Sequence, residues 1–188
     1  MPTKTSARTR QTAPERREAL VEAAVEHFGQ TGLHGTAVSA ITDAVGITQP
    51  YAFSLFGTKK GLFLAAVERS CDRIAETFRA AAAAAGDEGP LAAMGAAYGQ
   101  LLSDRSLLLI QLQSYAACND GEVREVVRRR YAQLYELVHD LSGADRLELQ
   151  GFFATGMLLN VAAAMDLPEL LYDETWMKDC LGQSAAER

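Results

Sequence analysis

AVSAITDAVGITQPYAFSLFGTKK, residues 37–60, is the stretch on which the reading of the fold turns. Val38, Ile41 and Val45 recur at helical spacing, and Gly46 can take the left-handed conformation that ends a helix. Thr48 is placed to cap a new helix whose first turn carries Pro50, where a missing N–H costs nothing. The pattern predicts two helices of about two turns each, joined by a tight turn in a helix-turn-helix. Thr36 is the expected N-cap of the first, over 37–45. In the second, Phe53 and Phe56 lie three apart and are expected to pack on the preceding helices, leaving Thr48, Gln49, Pro50, Tyr51 and Ser54 outward.

Upstream, Thr12-Ala13-Pro14-Glu15 has the form of a capping box with proline in the first turn. Leu20, Ala24 and Phe28 continue it as one stripe, ending near 29–32. Downstream, Phe63, Val67, Ile74 and Phe78 predict a helix over 59–85, roughly 40 Å long at 1.5 Å per residue. Further helices are expected over 91–102, 107–118, 122–141 and 145–165, with a short one over 174–181. No alternating β-branched run argues for a strand. The predicted fold is all-α: a three-helix N-terminal helix-turn-helix domain joined by a long fourth helix to a helical C-terminal bundle. The expected divisions are a disordered basic arm (1–11), a DNA-binding domain (12–73) and a C-terminal domain (74–188).

The net charge of −6 is unevenly spread. Residues 1–60 hold seven bases against five acids, a net of +2, which leaves −8 for the remainder. A mildly basic head on an acidic body permits nucleic-acid contact at one end only. The three cysteines, Cys71, Cys118 and Cys180, form no CxxC pair, and with His27, His34 and His139 they share no metal-ligand spacing. No metal and no cofactor is expected. The first dozen residues lack an apolar segment of the secretory type, so a cytoplasmic location is expected.

A reading helix needs polar side chains near its N-terminus to meet base edges, and apolar residues behind to fix its angle. Gln49 offers a hydrogen-bonding amide, Pro50 a surface for a thymine methyl, Tyr51 a ring and hydroxyl, and Lys59 with the N–H groups after Thr58 a phosphate site. The plainer alternative is a helical hairpin with ordinary surface polar groups. HGTAVSAITDAVGITQPYAFSLFGTKKGLFLAAVE (residues 34–68) also resembles the N-terminal DNA-binding domain of TetR-family transcriptional regulators. The resemblance covers about residues 14–73 and includes Phe28, Gly32, Thr36, Ile41, the Ala44–Thr48 turn, Phe53–Phe56 and Thr58–Leu62. It implies a homodimer of all-α subunits that binds a palindromic double-stranded DNA operator, with Thr36, Lys59 and the third helix as DNA contacts. It further implies a C-terminal domain that binds a small-molecule effector and dimerises. Ala37 and Phe53 depart from the Thr and Tyr that the family often carries there, which removes two possible phosphate hydrogen bonds.

In the C-terminal half, residues 149–165 are interrupted only by Gln150, Thr155 and Asn160. About 17 such residues are short for a membrane span, and a helix buried on both faces is expected instead. Its outer face would meet a second subunit through Gly151, Ala154, Thr155, Gly156 and Asn160, with Asn160 as an interface hydrogen bond or, alternatively, a ligand contact. Met94, Tyr98, Leu101, Gln111, Tyr115, Phe152 and Met157 mix apolar bulk with a few polar handles and are candidates for an effector pocket, or for plain core. Cys71 reads as a buried structural thiol, whereas Cys118 or Cys180 would serve a redox-responsive regulator. Arg128, Arg129 and Arg130 are expected on a solvent face. No nucleophile elbow, phosphate-cradling glycine loop or HExxH is present, so an enzyme is not expected. The expected function is a DNA-binding repressor released by an effector, the alternatives being the redox regulator or a helical interaction protein that does not bind DNA.

Overall fold

A computed structural model describes residues 12–167 of the chain. Among them every regular element is helical: α1 (Ala13–Gly35), α2 (Val38–Val45), α3 (Gln49–Phe56), α4 (Lys59–Ala83), α5 (Gly89–Leu101), α6 (Arg105–Ala116), a 3-10 turn (Ala117–Asn119), α7 (Gly121–Ser142) and α8 (Arg146–Ala164). The all-α expectation holds. The arm over 1–11, the helix over 174–181 and Cys180 lie outside the described residues.

Local chemistry sets the helix ends. Thr12 and Glu15 form the capping box of α1, and Asp145 with Glu148 forms another on α8. Thr58, Asp104 and Asp120 cap α4, α6 and α7 through their side chains. Gly46 closes α2 in the left-handed conformation (φ 67°, ψ 37°). The end of α1 differs from expectation. The chain kinks at Gly32 (φ 70°, ψ 179°), a region essentially reserved for glycine, and then resumes helix to Gly35.

Two apolar clusters make the core. The first joins α1 (Leu20, Ala24, Phe28), Ile41, Ala52 and α4 (Leu62, Phe63, Val67) to Ile110 of α6 and Val123 and Val127 of α7. At its centre Phe28 meets Phe63 edge to face, 5.1 Å between ring centroids. The second cluster joins Ile74 and Phe78 of α4 to Met94, Leu107, Leu108, Val138 and Leu149. α4 and α6 contribute to both, so head and body share core rather than only a linker.

Ion pairs fasten α4 to its neighbours. Arg69 pairs with Glu18 of α1, and Arg73 with Glu22 and with Asp104 at the start of α6. Arg129 and Arg130 do not decorate a free solvent face: they pair with Glu68 and Asp72 on α4, because α7 crosses that helix there. Lys60 reaches Asp120 (3.2 Å) and Glu122 (2.7 Å) at the start of α7. The Val123 N–H, and then the Lys60 ammonium, hold the Asp120 carboxyl below its ordinary value.

Two outcomes are expected from these features. Gly32→Ala should lower stability by about 1–3 kcal/mol in urea unfolding, because alanine cannot easily adopt this backbone conformation. A Cβ there would also lie 2.5 Å from Gln113 Oε1, so adding Gln113→Ala should restore only the part due to that clash. Because the folded pKa of Asp120 is depressed, its contribution is complete above the ordinary carboxylate value of about 3.9 and fades as pH falls through the lower folded value. Asp120→Asn should therefore flatten the acid limb of a stability-against-pH curve, and an unchanged limb would count against this account.

Candidate nucleic-acid interface and effector cavity

The first turn of α3 is presented outward. Thr48, Gln49, Pro50 and Ser54 are exposed, as expected, and Tyr51 is half-buried. Thr48 occupies the N-cap position, but its side chain makes no capping bond. The Ser54 hydroxyl donates to the Tyr51 carbonyl (2.7 Å). The Arg16 guanidinium stands 6.0 Å from the Tyr51 ring centroid, and that of Arg17 stands 5.0 Å from Phe56. Two bases of α1 thus flank the helix that would read DNA.

Two expectations here need correction. Phe53 does not pack inward: it is 39% exposed, and Ala52, 2% exposed, is the buried contact of α3. The packed stripe is Ala52, Leu55 and Phe56, so Phe53 shares the outer face with Gln49 and Pro50, its neighbours at i−4 and i−3. Sequence reasoning missed it as a candidate contact, although its departure from the family tyrosine marked the position. Thr36 does not cap α2, whose N-cap is Ala37. Thr36 is 4% exposed, and its hydroxyl donates to the Gly32 carbonyl (2.7 Å) beside the Thr31 hydroxyl (2.7 Å). It completes the end of α1 across the kink.

Lys59 Nζ donates to the His34 carbonyl (3.0 Å). An ammonium has three N–H donors, so this bond holds the side chain against the end of α1 and leaves donors for an anion.

In the body, α4 to α8 enclose a cavity of about 1530 Å³. Five of the seven expected pocket residues line it: Tyr98, Gln111, Tyr115, Phe152 and Met157. Met94 is instead fully buried core, and Leu101 packs beside it against the same cluster. The Tyr98 hydroxyl donates to Asn160 Oδ1 (2.7 Å) and lies 3.2 Å from Gln111 Oε1. Burial pushes the phenols of Tyr98 and Tyr115 above their usual range, so both are neutral groups here. A continuous aromatic wall runs from Phe78 to Phe152 (5.6 Å), Phe153 (5.4 Å) and Tyr135 (5.2 Å).

The outer-face assignment on α8 changes accordingly. Asn160 is 2% exposed and bonded to Tyr98, and Gly151, Thr155 and Gly156 also line the cavity, which leaves Ala154 outward. Within one chain the other side of this segment is open, with Leu147, Val161 and Met165 70%, 41% and 57% exposed. By length and composition alone this helix is apolar enough to cross a membrane. Cys118 is half-buried and its thiol faces the Ser114 carbonyl (3.3 Å). Cys71 is also half-buried, with its thiol pushed up by burial.

Residues 20–66, which span the end helices of the reading head, match the family model for bacterial regulatory proteins of the tetR family. Over the reading head, then, the chain is similar to the tetR family of bacterial regulatory proteins. Solved structures share the fold over nearly the whole chain. A member of the TetR family from Streptomyces coelicolor A3 is 21% identical, with a TM-score of 0.67 over 90% of this chain and 98% of that one. The fatty acid degradation regulator FadR from Bacillus halodurans is 17% identical, with a TM-score of 0.71 over 95% and 100%. The multidrug binding protein EbrR, solved with malachite green, is 20% identical, with a TM-score of 0.62 over 90% and 98%. At these identities the likeness is one of fold. A search of curated proteins returned no significant match.

Proposed function

We propose that the protein is a cytoplasmic transcriptional repressor that binds a palindromic operator as a homodimer and leaves it when a small effector occupies the cavity. The observation that carries the reading is the outward first turn of α3, with Gln49, Pro50 and Phe53 on one face, Arg16 and Arg17 against its rings, and Lys59 held at the end of α1. In this reading Gln49 and Tyr51 meet base edges, Phe53 and Pro50 meet thymine methyls or sugars, and Lys59 holds a phosphate. The exposed apolar side of α8 is the surface that a second copy would cover, placing two reading heads on half-sites about one helical turn apart. EbrR is described as a multidrug binding protein and was solved with malachite green, and the shared fold supports an effector role for the cavity in this chain.

Release would travel through two helices. α4 runs from Phe63 in the head core to Phe78 on the cavity wall. α6 joins it: Leu108 and Gln111 line the cavity, while Ile110 packs in the head cluster and Gln113 lies against the Gly32 kink. An effector that shifts α6 therefore acts on the end of α1, against which Thr36 fixes the entry to α2. A coupling of about 1–3 kcal/mol lowers operator affinity roughly 5- to 150-fold.

A gel-shift titration against the DNA upstream of the protein's own gene, at several salt concentrations, tests the core of this reading. Binding should be sequence-dependent and should weaken steeply with salt. Gln49→Ala and Tyr51→Phe should alter sequence preference, whereas Lys59→Ala should weaken all sequences alike and lower the salt slope by about one. Equal affinity for every sequence tried would overturn the proposal.

A further inference from the structure

The charge map of the cavity narrows what it can hold. Among the described residues three charged side chains line it, Arg105, Glu148 and Asp166, and all are exposed. Arg105 is already paired with Asp166 (3.2 Å), and the Glu148 carboxylate accepts the Asp145 N–H (2.7 Å) as part of the α8 cap. The buried polar floor is neutral: one phenol, Tyr98, and two carboxamides, Gln111 and Asn160. A ligand charge placed on that floor would lose hydration and meet no counter-charge among the described residues, which is costly.

The floor is nonetheless not a closed network. Tyr98 has one hydroxyl proton and stands within reach of two carboxamide oxygens, Asn160 Oδ1 and Gln111 Oε1. One proton serves one of them fully, so hydrogen-bonding capacity remains for a group entering the cavity. Facing the floor is the aromatic wall of Phe78, Phe152 and Phe153, on which a flat ring system can stack edge-on or offset.

Taking the cavity as the effector site, and so resting on that part of the proposed function, we propose that its ligand is an uncharged, flat polycyclic aromatic molecule. It carries a neutral hydrogen-bonding group, a hydroxyl or carbonyl, that meets Tyr98, Gln111 and Asn160. The rings lie against the phenylalanine wall, and the polar group reaches the floor between α5, α6 and α8.

Four pyrene probes of one skeleton separate the possibilities by fluorescence titration of the full-length protein: 1-pyrenemethanol (neutral, hydrogen-bonding), 1-ethylpyrene (neutral, without the hydroxyl), 1-pyrenemethylammonium and 1-pyrenecarboxylate. The alcohol should bind tightest, with the hydrocarbon and both ions at least about tenfold weaker, a step of 1.4 kcal/mol. Gln111→Glu at pH 8 should reverse the order of alcohol and ammonium, which only a probe seated on this floor would do. Should that variant fail to fold, Gly95→Leu serves in its place. It improves helix propensity, its Cβ meets Phe152 Cε2 at an ordinary 3.8 Å, and it should weaken the alcohol at least about fivefold by filling the space. Ions that bind as tightly as the alcohol, an alcohol no better than the hydrocarbon, or no binding by any probe would each overturn the assignment of ligand class. The effector reading fails separately: there the alcohol binds as described, yet operator affinity in the gel shift is unchanged.

Discussion

The approach of α6 to α1 at Gly29 is the constraint from which the rest of the structure takes its geometry. A Cβ at Gly29 would stand 3.1 Å from the Ser106 carbonyl oxygen and 3.4 Å from the Ile110 nitrogen, so the two helices meet nearly backbone to backbone. Such closeness lets Ile110 enter the head core while Leu107 and Leu108 enter the body core. It also presses Gln113 against the kink at Gly32, and that kink sets where Thr36 closes α1 and α2 begins. The angle at which α3 is offered is thus inherited, step by step, from a seam in the middle of the chain.

Much of this was legible in the sequence because it is written in short-range chemistry. The capping box at Thr12 and Glu15, the left-handed Gly46, Pro50 in a first turn and the apolar stripes of α1 and α4 each depend on neighbours within about four residues. The errors fall where the deciding partner is distant. In a two-turn helix both Phe53–Phe56 and Ala52–Phe56 are valid spacings, and only the closeness of the helices opposite favours the small Ala52. Thr36 has the residue type of a cap, but the carbonyl it serves belongs to the helix before it. An all-round apolar helix such as α8 carries no phase, so whether Asn160 faced inward depended on Tyr98, 62 residues away. The arginines of α7 found acids on α4 for the same reason.

The charged contacts do a different job from the apolar ones. The pairs that tie α4 to α1 and α7 have side chains about a fifth to three-fifths exposed, where a single ion pair contributes roughly 0–1 kcal/mol. Stability therefore rests on the two apolar clusters, and the ion pairs chiefly fix the rotation and register of helices that those clusters would otherwise hold less specifically. They also neutralise arginines within the body, so the acidic remainder of the chain presents less positive surface than its arginine count suggests.

These contrasts bear on how a cavity in one half can be felt in the other. A helix packed through long side chains can absorb a displacement by changing rotamers, and little of it travels further. At Gly29 there is no side chain to rearrange, and close-packed interiors resist compression. In the proposed mechanism, a ligand that pushed α6 outward at Leu108 and Gln111 would have either to open the α1 seam or to carry α1 with it. Either response changes the geometry at Gly32 and Thr36, and through them the entry to α2 and α3. The same tight seam that lets head and body share a core is thus the route by which, under the proposed function, the head's posture would depend on what occupies the body.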